Sequence, residues 1–377
     1  MTFEPLGKHR LYCGDSSIAL PELDAESIDA VVSDPPSGIG FMGRDWDRDK
    51  GGRREWIAWL QGIMAECLRI TKPGGHALIW ALPRTSHWTG TAIENAGWEI
   101  RDCIDHIFYS GFPKSLDVSK AIDAGKGAPR EVVGSRGTAK GNGGGGVDFL
   151  TQGSRSSVVD ITTPATAEAK RYQGWGTALK PAHECWWLAR KPLIGTVAAN
   201  VLEHGTGALN VDGCRFRYGD PCWPGPQEIG DPNRFQGCDG GSFVVDLDKY
   251  PTIAGHTLGR WPANIYYSPK PSTSEREAGC ERLTQHSAGD LTGGRVEGSN
   301  GLQSPGAGAG RRSSGRGNTH PTVKAIGLMR WLCRLITPTG GTVLDPFAGS
   351  GTTILACEAE GFACTAVELD PKHCDII

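Results

Sequence analysis

Apolar residues along this chain fall into two alternating spacings. Residues 28–33 (Ile-Asp-Ala-Val-Val-Ser) are a short β-branched run that stops at Pro35-Pro36, the pattern of a buried parallel strand. From Trp56 to Ile70 the apolar positions Trp56, Ile57, Leu60, Ile63, Met64, Cys67 and Leu68 recur at helical spacing, and Thr71-Lys72-Pro73-Gly74-Gly75 supplies a stop and a turn. Residues 76–81 (His-Ala-Leu-Ile-Trp-Ala) read as a second buried strand, 85–97 as a helix ended by Gly97, and 104–109 as a third strand. Strands alternating with helices predict a parallel sheet covered on both faces.

The pattern then breaks. Residues 125–160 are rich in Gly, Ser and Thr, including Gly143-Gly144-Gly145-Gly146, and are expected to be a flexible loop. One strand-like run returns at 182–190. Residues 205–318 are mostly turn-forming, and 285–318 nearly lacks large apolar side chains. Irregular chain of that length is either a functional insert or a solvated linker, and the linker suits 285–318 better. Regularity resumes with helical spacing through Ile326, Leu328, Met329, Leu332, Leu335 and Ile336, then a strand at 342–344, a glycine turn, a helix over 352–361 and a strand at 363–367. The expected fold is a doubly wound α/β, mostly parallel sheet. Residues 1–110, the 182–190 strand and 318–377 assemble it, and the rest of 111–317 forms a loop-rich insert region.

With 377 residues and 38% hydrophobic content the chain is ample for a buried core. No apolar run approaches the ~20 residues that span a bilayer, and Met1-Thr2-Phe3-Glu4-Pro5 lacks the features of a signal peptide. A soluble cytoplasmic protein, bacterial or phage-encoded, is expected. The twelve cysteines contain no CxxC pair, so no metal is expected; Cys214, Cys222 and Cys238 are the loose trio that keeps a metal in view. The net charge of −3 hides an uneven distribution. Residues 1–60 carry 7 Lys/Arg against 11 Asp/Glu, 110–191 carry 12 against 7, 299–344 carry six basic residues and no acid, and 345–377 carry one Lys against six acids. A basic middle between acidic ends fits a phosphate-binding surface beside a cofactor site. Ordinary surface charge would explain either basic stretch taken alone.

Asp345-Pro346-Phe347-Ala348-Gly349-Ser350-Gly351 follows a predicted strand and opens a helix, so backbone can approach a ligand closely and helix N–H groups are available to it. Glu368 ends the next strand, where an acid can accept hydrogen bonds from both hydroxyls of a ribose. With two glycines rather than three, a pyrophosphate is poorly served, and a nucleoside cofactor without phosphate suits the turn better. Asp-Pro-Phe-Ala-Gly-Ser-Gly-Thr-Thr at 345–353, with Asn318-Thr319-His320-Pro321-Thr322-Val323-Lys324 upstream, resembles the permuted β class of amino-DNA methyltransferases. That resemblance implies S-adenosylmethionine as cofactor. It places Asp345, Phe347, Gly349, Ser350 and Gly351 around the methionine moiety, Thr322 and Lys324 near its carboxylate, Glu368 on the ribose and Asp15 near the adenine ring. Ala325 stands where the family usually has Pro. Simple strand-end capping by Asp345 and Glu368 is the plainer reading.

Asp34-Pro35-Pro36-Ser37 supplies a different chemistry. The lone pair of an exocyclic amine is conjugated into its ring, so methylating it calls for acceptors that draw the nitrogen toward sp³ geometry. The Asp34 carboxylate and the Pro35 carbonyl, fixed by two prolines, would do this. The segment is similar to the Asp-Pro-Pro-Tyr motif of the same family, with Ser37 in place of the aromatic that stacks on the flipped base. Stacking is worth roughly 1–3 kcal/mol per base, and Phe41 or Trp46 on the adjoining loop could replace it. Without the rest of the chain, Asp-Pro-Pro would be a turn after a strand. With it, the resemblance implies methyl transfer to N6 of adenine in double-stranded DNA with base flipping. N4 of cytosine is the alternative, and a catalytically weak DNA-binding protein of the same fold is a further one. A cognate restriction endonuclease is a partner the resemblance admits. Residues 1–110 are then the catalytic half, 111–317 the target-recognition region and 318–377 the cofactor half.

Overall fold

The computed structural model describes residues 3–41, 45–108, 115–137, 158–217, 220, 222, 259–286 and 317–377. Its strands are β1 (Glu4–Leu6), β2 (His9–Cys13), β3 (Ile28–Ser33), β4 (Thr71–Ala81), β5 (Glu99–Ile107), β6 (Val132–Gly137), β7 (Val158–Thr162), β8 (His183–Arg190), β9 (Ile265–Tyr267), β10 (Thr342–Asp345) and β11 (Ala363–Glu368). The helices are α1 (Ser16–Ala19), α2 (Arg53–Ile70), α3 (Ser86–Asn95), α4 (Val118–Gly125), α5 (Ala167–Arg171), α6 (Val197–His204), α7 (Thr273–Glu277), α8 (Ile326–Ile336), α9 (Thr352–Glu360) and α10 (Pro371–Cys374). Nine strands form one sheet in the order β1-β2-β11-β10-β3-β4-β8-β5-β9. From β2 to β4 every pairing is parallel, and β8 runs antiparallel between β4 and β5.

The two-residue period of the strands divides the core between the sheet's faces. On β4, Ala77 and Ile79 pack with Trp56, Leu60 and Met64 of α2 and Ile93 of α3. Leu78 and Trp80 point the other way, toward Leu328, Met329 and Leu332 of α8 and Ile354 of α9. Each fully buried side chain of this kind contributes about 1.5–3 kcal/mol. Helices on both faces follow from strands that are apolar on both sides. Arg330 and Arg334 of α8 both reach the Glu360 carboxylate at the end of α9, at 2.7 and 2.6 Å, and lock those two helices together.

Several expectations need correction. The stretch 125–160 is not all loop: β6 and β7 pair antiparallel, with 138–157, including the four-glycine run, outside the described residues. Val132-Val133 and Val158-Val159-Asp160-Ile161 supply β-branched residues that outweigh the surrounding Gly and Ser. The Asp123 carboxylate anchors this unit, accepting from Arg130 Nη1 (2.6 Å), Thr166 Oγ1 (2.8 Å) and the N–H groups of Ala165 and Thr166. The third strand starts at Glu99 and ends at Ile107, with residues 109–110 outside the described ones. The turn-rich 205–318 stretch contributes β9, which pairs parallel with β5 at the sheet edge, and also α7. Most of 285–318 lies outside the described residues. The β1–β2 hairpin, too short and polar to read as strands, extends the opposite edge.

Candidate active site

The chemistry-bearing residues gather at the C-terminal ends of β3, β4, β10 and β11. Asp345 ends β10 and is 1% exposed. Its Oδ1 accepts from Ser33 Oγ at 2.6 Å and from the Phe347 N–H at 3.0 Å, and its Oδ2 accepts from Thr353 Oγ1 at 2.5 Å. One carboxylate therefore fastens β3, the turn and the first residues of α9. Burial outweighs those hydrogen bonds and pushes its pKa up to about 6. Glu368, at the end of β11, accepts from Gly349 N–H at 2.7 Å and Asp370 N–H at 2.9 Å, while its backbone carbonyl accepts from Gly14 N–H at 2.7 Å. Ser16 Oγ donates to the Pro346 carbonyl at 2.5 Å and ties α1 to the turn. Asp15 is exposed and caps α1, accepting from Ser17 N–H and Oγ at 2.8 and 2.7 Å.

The glycine turn is closely covered. Gly349 has φ +57°, and a Cβ there would lie 2.9 Å from His320 Nε2. His320 also packs on His373 (ring centroids 4.7 Å apart) and lies parallel to Trp46 at 6.4 Å. The Thr322 N–H reaches His320 Nδ1 at 3.4 Å, so the 318–324 segment folds over the turn. Helix α7 holds that segment at both ends: Glu277 accepts from Gly317 N–H (2.8 Å) and Asn318 N–H (3.1 Å), and Glu275 from Ile326 N–H (2.7 Å), the start of α8. Phe347 meets Trp59 at 5.6 Å, and Lys50 Nζ lies 4.8 Å from the Trp59 ring centre. An open cavity of about 400 Å3 borders Thr319, Asp370 and His373 but not Asp34.

Asp34 follows β3 directly, one residue beyond the Ser33–Asp345 hydrogen bond. Its Oδ2 is 2.6 Å from Lys324 Nζ, with the two side chains 20% and 11% exposed. Lys324 Nζ also lies 4.0 Å from Glu184 Oε2 and 4.1 Å from the centre of the Trp80 ring. Glu184 accepts from Trp80 Nε1 at 2.9 Å and from Lys270 Nζ at 3.3 Å. Two carboxylates and two ammonium groups thus balance here, with Asp34, Glu184 and Lys324 largely buried and Lys270 at the rim. Burial raises the Asp34 pKa to about 6 even with Lys324 pulling it down. Burial also acts on Glu184, but Lys324 and Lys270 overcome it and hold that carboxyl down to about 2. The resemblance puts Lys324 on the cofactor's carboxylate; here its ammonium is on Asp34.

Beyond Asp34 the chain turns around Asp47, which is 1% exposed. The Asp47 carboxylate accepts from the N–H groups of Ser37 (2.5 Å), Gly38 (3.1 Å) and Phe41 (2.7 Å), and from Ser37 Oγ at 3.0 Å. Thr85 Oγ1 donates to the Ser37 carbonyl at 3.1 Å. Gly38, at φ +72°, leaves room for the Trp56 indole, whose Nε1 would be 2.6 Å from a Cβ. Pro35, Pro36 and Ser37 are thereby set in place, with the Ser37 side chain turned to Asp47.

Sequence reading missed Asp47, Glu184, Lys270 and Trp80. Glu184 did carry a signal, being an acid inside an apolar strand, which requires a buried partner. The Cys214 and Cys222 thiols donate to the separate carbonyls of Trp331 and Tyr267, and Cys238 lies outside the described residues. Among the described residues no helix is long and apolar enough to cross a membrane.

Comparison with known proteins gives a family. A model of the N6/N4 DNA methylases, described as DNA methylase, matches residues 28–116 and 171–377. The Type II methyltransferase M.HindIII of Haemophilus influenzae is 21% identical over 92% of this chain and 87% of its own length. M.BamHI of Bacillus amyloliquefaciens is 29% identical over 22% of this chain, a match that spans only 19% of that enzyme. Among solved structures, the PvuII cytosine-N4-specific DNA methyltransferase aligns with 98% of this chain and 86% of its own at 14% identity and a TM-score of 0.47. The family match takes in both strand-end motifs, and on that ground the chain belongs to the N6/N4 DNA methylase family.

Proposed function

We propose that this chain methylates N6 of adenine in double-stranded DNA, with the target base rotated out of the duplex. The joint at the strand ends carries this reading. Asp34 stands one residue past Ser33, and the hydrogen bond from Ser33 to Asp345 puts the amine acceptor and the cofactor turn in one frame. When bound, S-adenosylmethionine supplies an electrophilic methyl group on a sulfonium. The residues present suit it. Glu368 can accept from ribose hydroxyls, and the paired acids of the turn disfavour a phosphate-bearing cofactor. Phe347 with Trp59 offers an aromatic wall.

In this reading Asp34 and the Pro35 carbonyl accept from the exocyclic amine and aim its lone pair. With a pKa of about 6 the Asp34 carboxylate is ionised at neutral pH, as an acceptor must be. Stacking on the extruded base is proposed for Phe41 or Trp46 in place of Ser37. Asp rather than Ser at the first position of the motif favours adenine over cytosine. The 111–317 region is assigned to DNA reading: Leu116, Trp175 and Leu179 are exposed among Lys120, Lys126, Lys170, Arg171 and Lys180, a basic and apolar surface suited to phosphates and bases. A cognate endonuclease belongs to the same proposal.

Nucleoside mass spectrometry of DNA incubated with protein and cofactor tests it. N6-methyladenine is expected, and N4-methylcytosine alone would overturn the adenine assignment. Asp34→Ala should abolish transfer while calorimetry still shows S-adenosylmethionine binding; surviving transfer would refute the site.

A further inference from the structure

Strands β5 and β8 bring together four side chains that the sequence scatters. Asp105 lies directly opposite Cys185 in the antiparallel register, Cys103 opposite Trp187 and Ile107 opposite His183. Residues two apart share a face, so Cys103, Asp105, His183 and Cys185 all project on the side of the sheet that carries α2 and α3. The two thiols and the Asp105 carboxylate have ligand atoms within 4.8 Å of one another, the only such group of three among the described residues. His183 Nε2 adds a fourth donor, 4.0 Å from Asp105 Oδ1.

We infer that Cys103, Asp105, His183 and Cys185 form a structural zinc site. Tetrahedral zinc with Zn–S near 2.3 Å and Zn–O near 2.0 Å sets neighbouring donor atoms roughly 3.5–3.8 Å apart. The two thiols and the Asp105 carboxylate need to contract by no more than about 1 Å to reach that spacing, and the half-exposed His183 ring would have to turn in from beside Asp105 to complete the set. Two thiolates with an imidazole are the borderline-soft set that suits zinc, and calcium or magnesium would demand more oxygen. The site is reachable: Asp105 and His183 are close to half exposed, while Cys185 is buried beneath them. Binding forms four coordinate bonds and releases the two thiol protons to solvent, with no redox step. Location supplies a purpose. β5 ends and β8 begins at the two stems of the segment 108–182, where the Phe108 N–H meets the Ala182 carbonyl at 3.0 Å. Zinc there would clamp the base of that excursion to the sheet.

Cobalt(II) titration of the full-length, reduced, chelator-treated protein tests the site. One equivalent should bind with thiolate-to-cobalt charge-transfer and tetrahedral ligand-field bands, and zinc should displace it. Removing an outer-shell partner weakens such sites by about 10–100-fold, so Cys185→Ser and Cys103→Ser should each cost more than about 100-fold. Asp105→Asn, which preserves shape, should weaken binding too, and Cys222→Ser should leave it unchanged. Zinc should raise the melting temperature of the native chain but not that of Cys185→Ser, with circular dichroism reporting that the variant is folded. Absent bands, bands that survive in a folded Cys185→Ser variant, or a Cys103–Cys185 disulfide found in place of metal would each overturn the inference.

Discussion

Replacing Lys324 by methionine keeps a long stem over Trp80 and removes the ammonium 2.6 Å from Asp34. The Asp34 pKa of about 6 results from burial pushing up and Lys324 pulling down, with Glu184 adding a further push upward. An opposite charge at this range lowers a carboxyl by roughly 1–3 units. Without it Asp34 should titrate at about 7–9. In the proposed mechanism the carboxylate is the form that accepts from the amine, so activity should be lost as pH falls through its pKa. At pH 7 the ionised fraction drops from about nine-tenths to between about one-half and one-hundredth, a loss of about 2- to 100-fold in kcat/KM for DNA. The measurement is transfer of labelled methyl to DNA across pH 5 to 10, because the acid limb of kcat/KM reports the free enzyme. Lys324→Met should move that limb upward and recover most activity at high pH. A limb that stays near 6 while KM for S-adenosylmethionine climbs would refute this reasoning and place Lys324 on the cofactor instead.

Two other changes probe the frame around the site. Asp345 has a folded pKa raised to about 6 from an ordinary 3.8, so its ionisation costs stability, a cost absent at low pH that grows as pH rises from about 4 to 6 and reaches roughly 3 kcal/mol. Asp345→Asn should lack that decline in urea denaturation run at a series of pH values, and an identical pH dependence in both proteins would count against it. Asp47→Ala strips the acceptor from three backbone N–H groups of the Ser37–Phe41 turn and should cost about 2–4 kcal/mol. Methyl transfer should fall with it because Pro35 loses its footing, and unchanged stability together with unchanged kcat would show that the turn holds itself.

Much of the sheet was legible because strands buried on both faces and helices with one apolar stripe leave different periods in the sequence. Residues 28–33 and 326–336 read correctly for that reason, and the strand read over 342–344 runs one residue further, to Asp345. The β6–β7 pair was hidden by the glycine-rich chain between its strands, and β9 is only three residues long. In the site, Asp34, Asp345 and Glu368 stood at strand ends, where topology concentrates function. Asp47 sits in an Asp-Trp-Asp-Arg-Asp run that looks like a solvated charge cluster, and only the fold turns it inward. The partnership of Lys324 with Asp34 and Glu184 spans most of the chain, and local patterning carries no trace of such pairing. The same holds for thiols on neighbouring strands: Cys103 and Cys185 are distant in sequence and adjacent in register.

The stems at Phe108 and Ala182 also bear on how such a protein changes over time. Because the sheet already fixes those two points one hydrogen bond apart, doubling the length of chain between them costs only about 0.6 kcal/mol of closure entropy. Lengthening, shortening or exchanging that segment leaves Asp34, Lys324 and Asp345 in their own frame. On the proposed assignment of this segment to DNA reading, selection could revise which DNA word is read without disturbing the frame proposed for methyl transfer, and grafting between relatives at these two residues is the natural place to exploit it.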